Sequence, residues 1–240
     1  MLLMENCNFG QSNFMNLPER LNTIKNSIPQ GVTLIAVSKT QSVDSILQAY
    51  GCGQKIFGEN KAQELVFKAE QLPGDIQWHF IGHLQSNKVK MLLPYTALIH
   101  SVDSKKLLQI INSESLKINK ITNCLLQFFI AREETKFGLD LEEAMEILSS
   151  AEFPKMKHIR ICGVMGMATY TSNQAQIRAE FKQLYSIFTQ IKQIYFADND
   201  YFNEISMGMT DDYQTAMEEG STMVRIGTAI FGERGRKIEN

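Results

Sequence analysis

Short apolar runs alternate along this chain with stretches whose apolar residues recur at helical spacing. Leu34-Ile35-Ala36-Val37 predicts a buried strand over 32–37. Ahead of it, Leu17, Leu21, Ile24 and Ile28 predict a leading helix over 14–28, with Pro18 in its first turn. Behind it, Val43, Ile46, Leu47 and Tyr50 form the stripe of a second helix, stopped by Gly51 and Gly53. The alternation continues with strands at 55–57, 76–81, 97–100, 124–130, 161–167, 203–206 and 223–226. The intervening helices fall near 60–71, 84–92, 103–118, 140–149, 173–195 and 211–220. Asp103 is the expected N-cap of one of them, and Asp211 or Asp212 of another.

Strands and helices alternating at a pitch of about 25–30 residues predict a parallel sheet with right-handed crossovers. Eight such units in 240 residues fit a closed (β/α)8 barrel of TIM type, whose usual length is about 250 residues. An open doubly wound sheet is the alternative. No low-complexity segment or linker divides the chain, so residues 1–240 are expected to form one barrel domain with an N-terminal helix.

The bulk numbers narrow the function classes. A formal net charge of −2, with Lys and Arg scattered, leaves no electrostatic footprint for nucleic acid. Cys7, Cys52, Cys124 and Cys162 are far apart and form no metal-ligand pair, which suggests reduced thiols in a cytosol. No apolar run approaches the ~18 residues of a membrane span, and the start of the chain lacks the pattern of a signal peptide. A cytoplasmic protein is expected, with no nucleic-acid or membrane partner.

In such a barrel the chemistry gathers at the carboxyl ends of the strands. The unusual residues there are Lys39, Asn60, His79, Gly82, Ser206, Gly227 and Thr228. A lysine behind a buried strand either snorkels to solvent or is desolvated, which lowers its amine pKa and makes it a nucleophile for aldehydes. ISMGMT and RIGTAIFG, after the last two strands, are loops of the kind that cradle phosphate, opposite that lysine. A helix starting near 211 would add its positive end. Ordinary turn chemistry accounts for each loop alone. Arg225, within the last strand, points either into the barrel or toward the helices. Inside, it could donate to an aromatic ring nitrogen; a structural ion pair is the alternative.

AVSKT (36–40), FGEN (57–60), WHFIGHLQSNK (78–88), SVDS (101–104), ETKFGL (134–139), CGVMGMA (162–168) and ISMGMTDDYQTAMEEGSTMVRIGTAIFG (205–232) resemble the YggS/PROSC family of pyridoxal phosphate homeostasis proteins. The resemblance covers nearly the whole chain and is most specific in its last block. It implies a fold-type III barrel for pyridoxal 5'-phosphate (PLP), similar to the N-terminal domain of alanine racemase. It also implies Lys39 as the Schiff-base lysine, Ser206, Gly227 and Thr228 at the phosphate, Arg225 facing the pyridine nitrogen, and Asn60 and His79 lining the cofactor. The chain departs from the family where Phe129-Ile130-Ala131 stands in place of an asparagine-ended strand, and where Ala168-Thr169-Tyr170 replaces a proline-containing loop.

The function implied is PLP binding in vitamin B6 homeostasis, without turnover, with apo-PLP enzymes as recipients and the protein a monomer. The alternative is an amino-acid racemase, which needs an acid/base on each face of a carbanion. In alanine racemase the second base resembles a tyrosine from another subunit, and a C-terminal β-domain helps build the dimer. The present chain ends eight residues after Gly232, so no such domain is expected, and Tyr170 is the one substitute base in view, more readily understood as an aromatic packed on the barrel rim. A PLP-free sugar-phosphate enzyme would require paired carboxylates or metal ligands that the pattern does not offer.

Overall fold

Asn16 opens the first helix with a reciprocal cap. Its side chain accepts the Glu19 N–H at 3.0 Å while the Glu19 carboxylate accepts the Asn16 N–H at 2.9 Å. With Pro18 in the first turn this fixes α1 (Leu17–Ser27). The computed structural model describes residues 15–131 and 137–232. Cys7, the first residue of the expected leading helix and residues 132–136 of the ETKFGL region lie outside the described residues.

The chain then runs β1 (Thr33–Val37), α2 (Val43–Gly51), β2 (Ile56–Glu59), α3 (Ala62–Ala69), β3 (Gln77–Phe80), α4 (Val89–Leu92), β4 (Thr96–Val102), α5 (Lys105–Lys117), β5 (Thr122–Phe128) and α6 (Leu141–Ser149). It closes with β6 (Ile159–Gly166), α7 (Gln174–Tyr195), β7 (Glu204–Ser206), α8 (Tyr213–Glu218), β8 (Met223–Ile226) and α9 (Thr228–Phe231). Among the described residues the eight strands are parallel and close in sequence order into a barrel, β8 pairing with β1 at Ile35↔Arg225 and Ala36↔Ile226. The open-sheet alternative is thereby set aside.

Polar caps set several helix starts. Ser42 caps α2, Asn173 caps α7, and an Asp140–Glu143 capping box starts α6. The cap of α5 is Ser104, whose hydroxyl accepts the Leu107 N–H at 3.3 Å. Asp103, the expected cap, instead lies 3.2 Å from His83 Nδ1. Asp212 holds the N-cap position of α8 without a side-chain cap bond, because its carboxylate accepts the Met209 N–H at 2.5 Å. The stretch expected to be one helix over 84–92 is a 3-10 turn, Ser86–Lys88, running into the single turn of α4.

Two apolar layers result. Ile35, Leu98, Leu125, Cys162, Met165 and Met223 fill the barrel interior. A larger layer, anchored by fully buried Phe57, Phe80, Phe128 and Phe181, joins the strands to the helices. Burying each such ring contributes about 1.5–3 kcal/mol relative to leaving it exposed. Among the described residues no helix is long and apolar enough to cross a membrane.

Candidate functional site

Barrel closure decides what surrounds Lys39. It lies two residues past β1, in a turn, and is half-buried. Since β1 is hydrogen-bonded to β8 on one side and to β2 on the other, Lys39 is flanked by Gly227–Thr228 and by Asn60. The glycine-rich loops expected opposite the lysine therefore follow the neighbouring strand and the next one. A Cβ on Gly227 would lie 3.2 Å from Val37 O and 3.3 Å from Val37 Cβ, so the bare glycine keeps this approach close.

On the other flank, the Asn60 side-chain oxygen is buried and has no hydrogen-bond partner among the described residues. A buried acceptor left unpaired is costly, and a ligand donor would satisfy it. Gly82 is pressed against the same residue: a Cβ there would fall 2.2 Å from Asn60 O.

Arg225 points into the barrel. Its Nη1 donates to Ser206 Oγ at 2.6 Å and its Nη2 to Gly166 O at 3.0 Å. Ser206 Oγ lies 2.9 Å from His100 Nδ1, and His100 Nε2 lies 3.0 Å from His79 Nδ1. All four side chains are buried. Burial holds the His79 imidazole down at about 4. It lowers His100 well below its ordinary value too, with further lowering from His79 and Arg225. Burial also brings Arg225 down to about 10, with Asp212 opposing the shift. At neutral pH the site therefore holds one charged guanidinium against two neutral imidazoles.

His79 does not stand at the mouth. It lines a cavity of about 400 Å³ near the amino ends of the strands, with Thr33, Gln77, Asn123, Cys162 and Glu204, and reaches the mouth through His100 and Ser206. Ser206 has no exposed surface, its hydroxyl being turned to Arg225 and His100. The helix expected to lend its positive end begins at Tyr213, is six residues long, and has Asp212 at its start.

The loop after β6 is anchored by Glu180, which accepts the Thr169 N–H at 2.7 Å and the Thr169 hydroxyl at 2.8 Å. Tyr170 is 87% exposed, so it is not the packed rim aromatic expected from the sequence. Phe129, Phe137, Met167 and Met209 line a cavity of about 240 Å³ beside it, and this is where the Phe129-Ile130-Ala131 departure falls.

Two groups escaped the sequence reading. His100 joins Ser206 to His79. Ser38, Glu59, Glu64 and Lys68 form a largely buried polar cluster beside the Lys39 turn. The signal for Lys68 was its place on the inward stripe of α3, with Ala62 and Leu65.

With this geometry in place, the family model described as alanine racemase, N-terminal domain, matches residues 13–235. The pyridoxal phosphate homeostasis protein of Aquifex aeolicus is 37% identical over 232 residues, covering 92% of this chain and 99% of that protein. The same-named protein of Haemophilus influenzae is 36% identical over 233 residues, covering 92% and 97%. PipY of Synechococcus elongatus, solved without PLP, superposes with a TM-score of 0.85 at 32% identity, covering 90% of this chain and 100% of that one. PipY solved with PLP bound superposes with a TM-score of 0.80.

Proposed function

The chain belongs to the family of the alanine racemase N-terminal domain and the pyridoxal phosphate homeostasis proteins, and on that footing we propose that it binds pyridoxal 5'-phosphate and serves in its homeostasis. The observation that carries this reading is the β1–β8 pairing, which sets the Lys39 turn beside Gly227–Thr228 with Arg225 inside the barrel two residues earlier. The relatives' name and the PLP in PipY support the same ligand.

The residues present suit the cofactor. Gly227 and Thr228 supply backbone N–H groups, and Thr228 and Ser206 hydroxyls, to a phosphate. The orphaned Asn60 Oδ1 is an acceptor for a ring substituent. His79 stands behind the site through His100. Arg225 supplies donors toward the ring nitrogen. When bound, the cofactor would supply an aldehyde able to condense with a lysine amine, its carbonyl oxygen leaving as water, and a competing amine would release it by exchange. Lys39 is the amine proposed for this.

We also infer that the protein holds and releases the cofactor without turning over amino acids. A guanidinium has donors only. Facing the ring nitrogen, Arg225 disfavours a protonated ring and so weakens the electron sink that most amino-acid chemistry requires. Apo-PLP enzymes are the proposed recipients, and a monomer is the proposed form.

The test is reduction of the PLP-loaded protein with borohydride, followed by peptide mapping. The adduct is expected on Lys39, and Lys39→Ala is expected to lose the visible absorbance. An adduct at full occupancy in Lys39→Ala would assign the link to another amine.

A further inference from the structure

Both peptide groups that flank Lys39 are gripped by one ionic cluster. The Ser38 carbonyl, which is the peptide partner of the Lys39 N–H, accepts from Lys68 Nζ at 2.7 Å. The Thr40 N–H, on the far side of Lys39, donates to Glu64 Oε1 at 2.6 Å. Lys68 Nζ also donates to Glu64 Oε1 and to Glu59 Oε1, each at 2.7 Å. The Ser38 hydroxyl donates to Glu59 Oε1 at 2.6 Å, closing the ring.

The cluster is an expensive one. The Lys68 side chain is 3% exposed and that of Glu59 0%. Apolar residues of similar shape commonly serve stability as well as a buried ion pair does. Stability alone is therefore a poor account of it. The backbone it holds is also unusual: Thr40 sits at φ +65, a conformation that β-branched residues rarely adopt. Glu59 ends β2 and directly precedes Asn60, so the same cluster ties the Lys39 turn to the start of the Asn60 turn.

We propose that Lys68, Glu59 and Glu64 are positioning residues that hold the Lys39 turn in its strained form and thereby set how fast the Lys39 amine condenses with an aldehyde, the carbonyl oxygen leaving as water. The inference rests on the reading that Lys39 is the amine that holds the cofactor. The cluster orients the backbone from which the amine extends.

The experiment compares apo-protein carrying Glu64→Ala, Lys68→Met or Lys68→Arg with the parent. Two quantities are measured: the rate at which the visible band appears on mixing with pyridoxal 5'-phosphate, and the affinity for pyridoxamine 5'-phosphate, which has the ring and phosphate but no aldehyde. Glu64→Ala and Lys68→Met are expected to slow capture by about tenfold or more, with pyridoxamine phosphate affinity held within about threefold. Lys68→Arg, which keeps the charge, should be slowed less. Adding Thr40→Gly to Glu64→Ala should recover part of the rate, since glycine adopts positive φ without strain. If Lys68→Met fails to fold, the Glu64 site, whose side chain is 21% exposed, and its Thr40→Gly partner decide the matter.

Unchanged capture rates, or equal losses of capture and pyridoxamine phosphate affinity, would overturn the inference while leaving a wild-type adduct on Lys39 intact. A wild-type adduct mapped to another lysine would overturn the functional reading and this inference with it.

Discussion

Arg225 Nη1 donates to Ser206 Oγ at 2.6 Å, and that bond orders the protons behind it. A guanidinium cannot accept, so Ser206 is the acceptor there, and since the described residues offer its hydroxyl no other acceptor, its own proton is expected on the His100 Nδ1 side at 2.9 Å. His100 then carries its proton on Nε2 and gives it to His79 Nδ1 at 3.0 Å. In that arrangement the relay runs from Arg225 through Ser206 and His100 to His79. An anion that accepts the Ser206 proton reverses it: His100 must then donate from Nδ1, and His79 from its own Nδ1. The nitrogen-15 shifts of His100 are therefore expected to report an Nε2–H tautomer in the ligand-free protein and an Nδ1–H tautomer once PLP is bound. An identical tautomer in both states would place the phosphate away from Ser206.

The same histidines give the fold a pH dependence. His79 titrates at about 4 in the folded chain against 6.5 ordinarily, and His100 is lowered as well. Below about pH 6.5 the unfolded chain takes up protons that the folded one refuses, so stability falls as pH drops from there toward about 4. For His79 the difference is on the order of 3 kcal/mol, at about 1.4 kcal/mol per unit. Glu59 and Asp212, whose carboxyls burial holds above their ordinary values, oppose this at the acid end. The readout is the difference between wild type and His79→Gln in denaturant melts at pH 7 and pH 4.5. The wild type should lose more stability, and parallel losses would refute the account.

Phosphate affinity should reside in Ser206 and Thr228. Each hydrogen bond to a charged acceptor contributes about 1.5–3 kcal/mol. Replacing both with Ala is expected to weaken PLP far more than pyridoxal, which lacks the phosphate. Calorimetric titration of both ligands separates the cases, and equal weakening would put the phosphate elsewhere.

Much of the architecture was legible because strand and helix periodicities differ, and the eight-unit count left one natural closure. What escaped is physically understandable. Ser104 and Asp103 are both good N-caps, and the backbone selected the serine once Asp103 met His83. Parallel barrel strands are apolar on both faces, so periodicity could not tell which face holds His100 or Arg225. The apolar run also located β5 two residues late, because its ladder begins at the polar Thr122. The placement of the phosphate-type loops opposite Lys39 failed for a different reason: adjacency of β8 to β1 is a property of closure, and no local pattern carries it. Lys68 shared a stripe with Ala62 and Leu65, a visible signal, but its partners Ser38 and Glu59 come from two other segments.

The last prediction concerns turnover. Removing and returning an α-proton on opposite faces of an amino acid requires two positioned bases. Lys39 can serve one face. Tyr170 is the candidate for the other, in the loop after β6, and its ring is 87% exposed. A general base works best where water is excluded from the proton it removes, and a ring this exposed to water is poorly suited to that. Thr169, next to Tyr170, is tied to Glu180 through its N–H and its hydroxyl. PLP-loaded protein incubated with L-alanine in deuterated water should therefore wash deuterium into Cα at about the rate of free PLP. Tyr170→Phe should leave that rate unchanged. Exchange well above free PLP, and lost in Tyr170→Phe, would make the chain an enzyme with a Lys39/Tyr170 base pair. Exchange at the free-PLP level in both proteins leaves a carrier whose lysine holds the aldehyde until another amine displaces it.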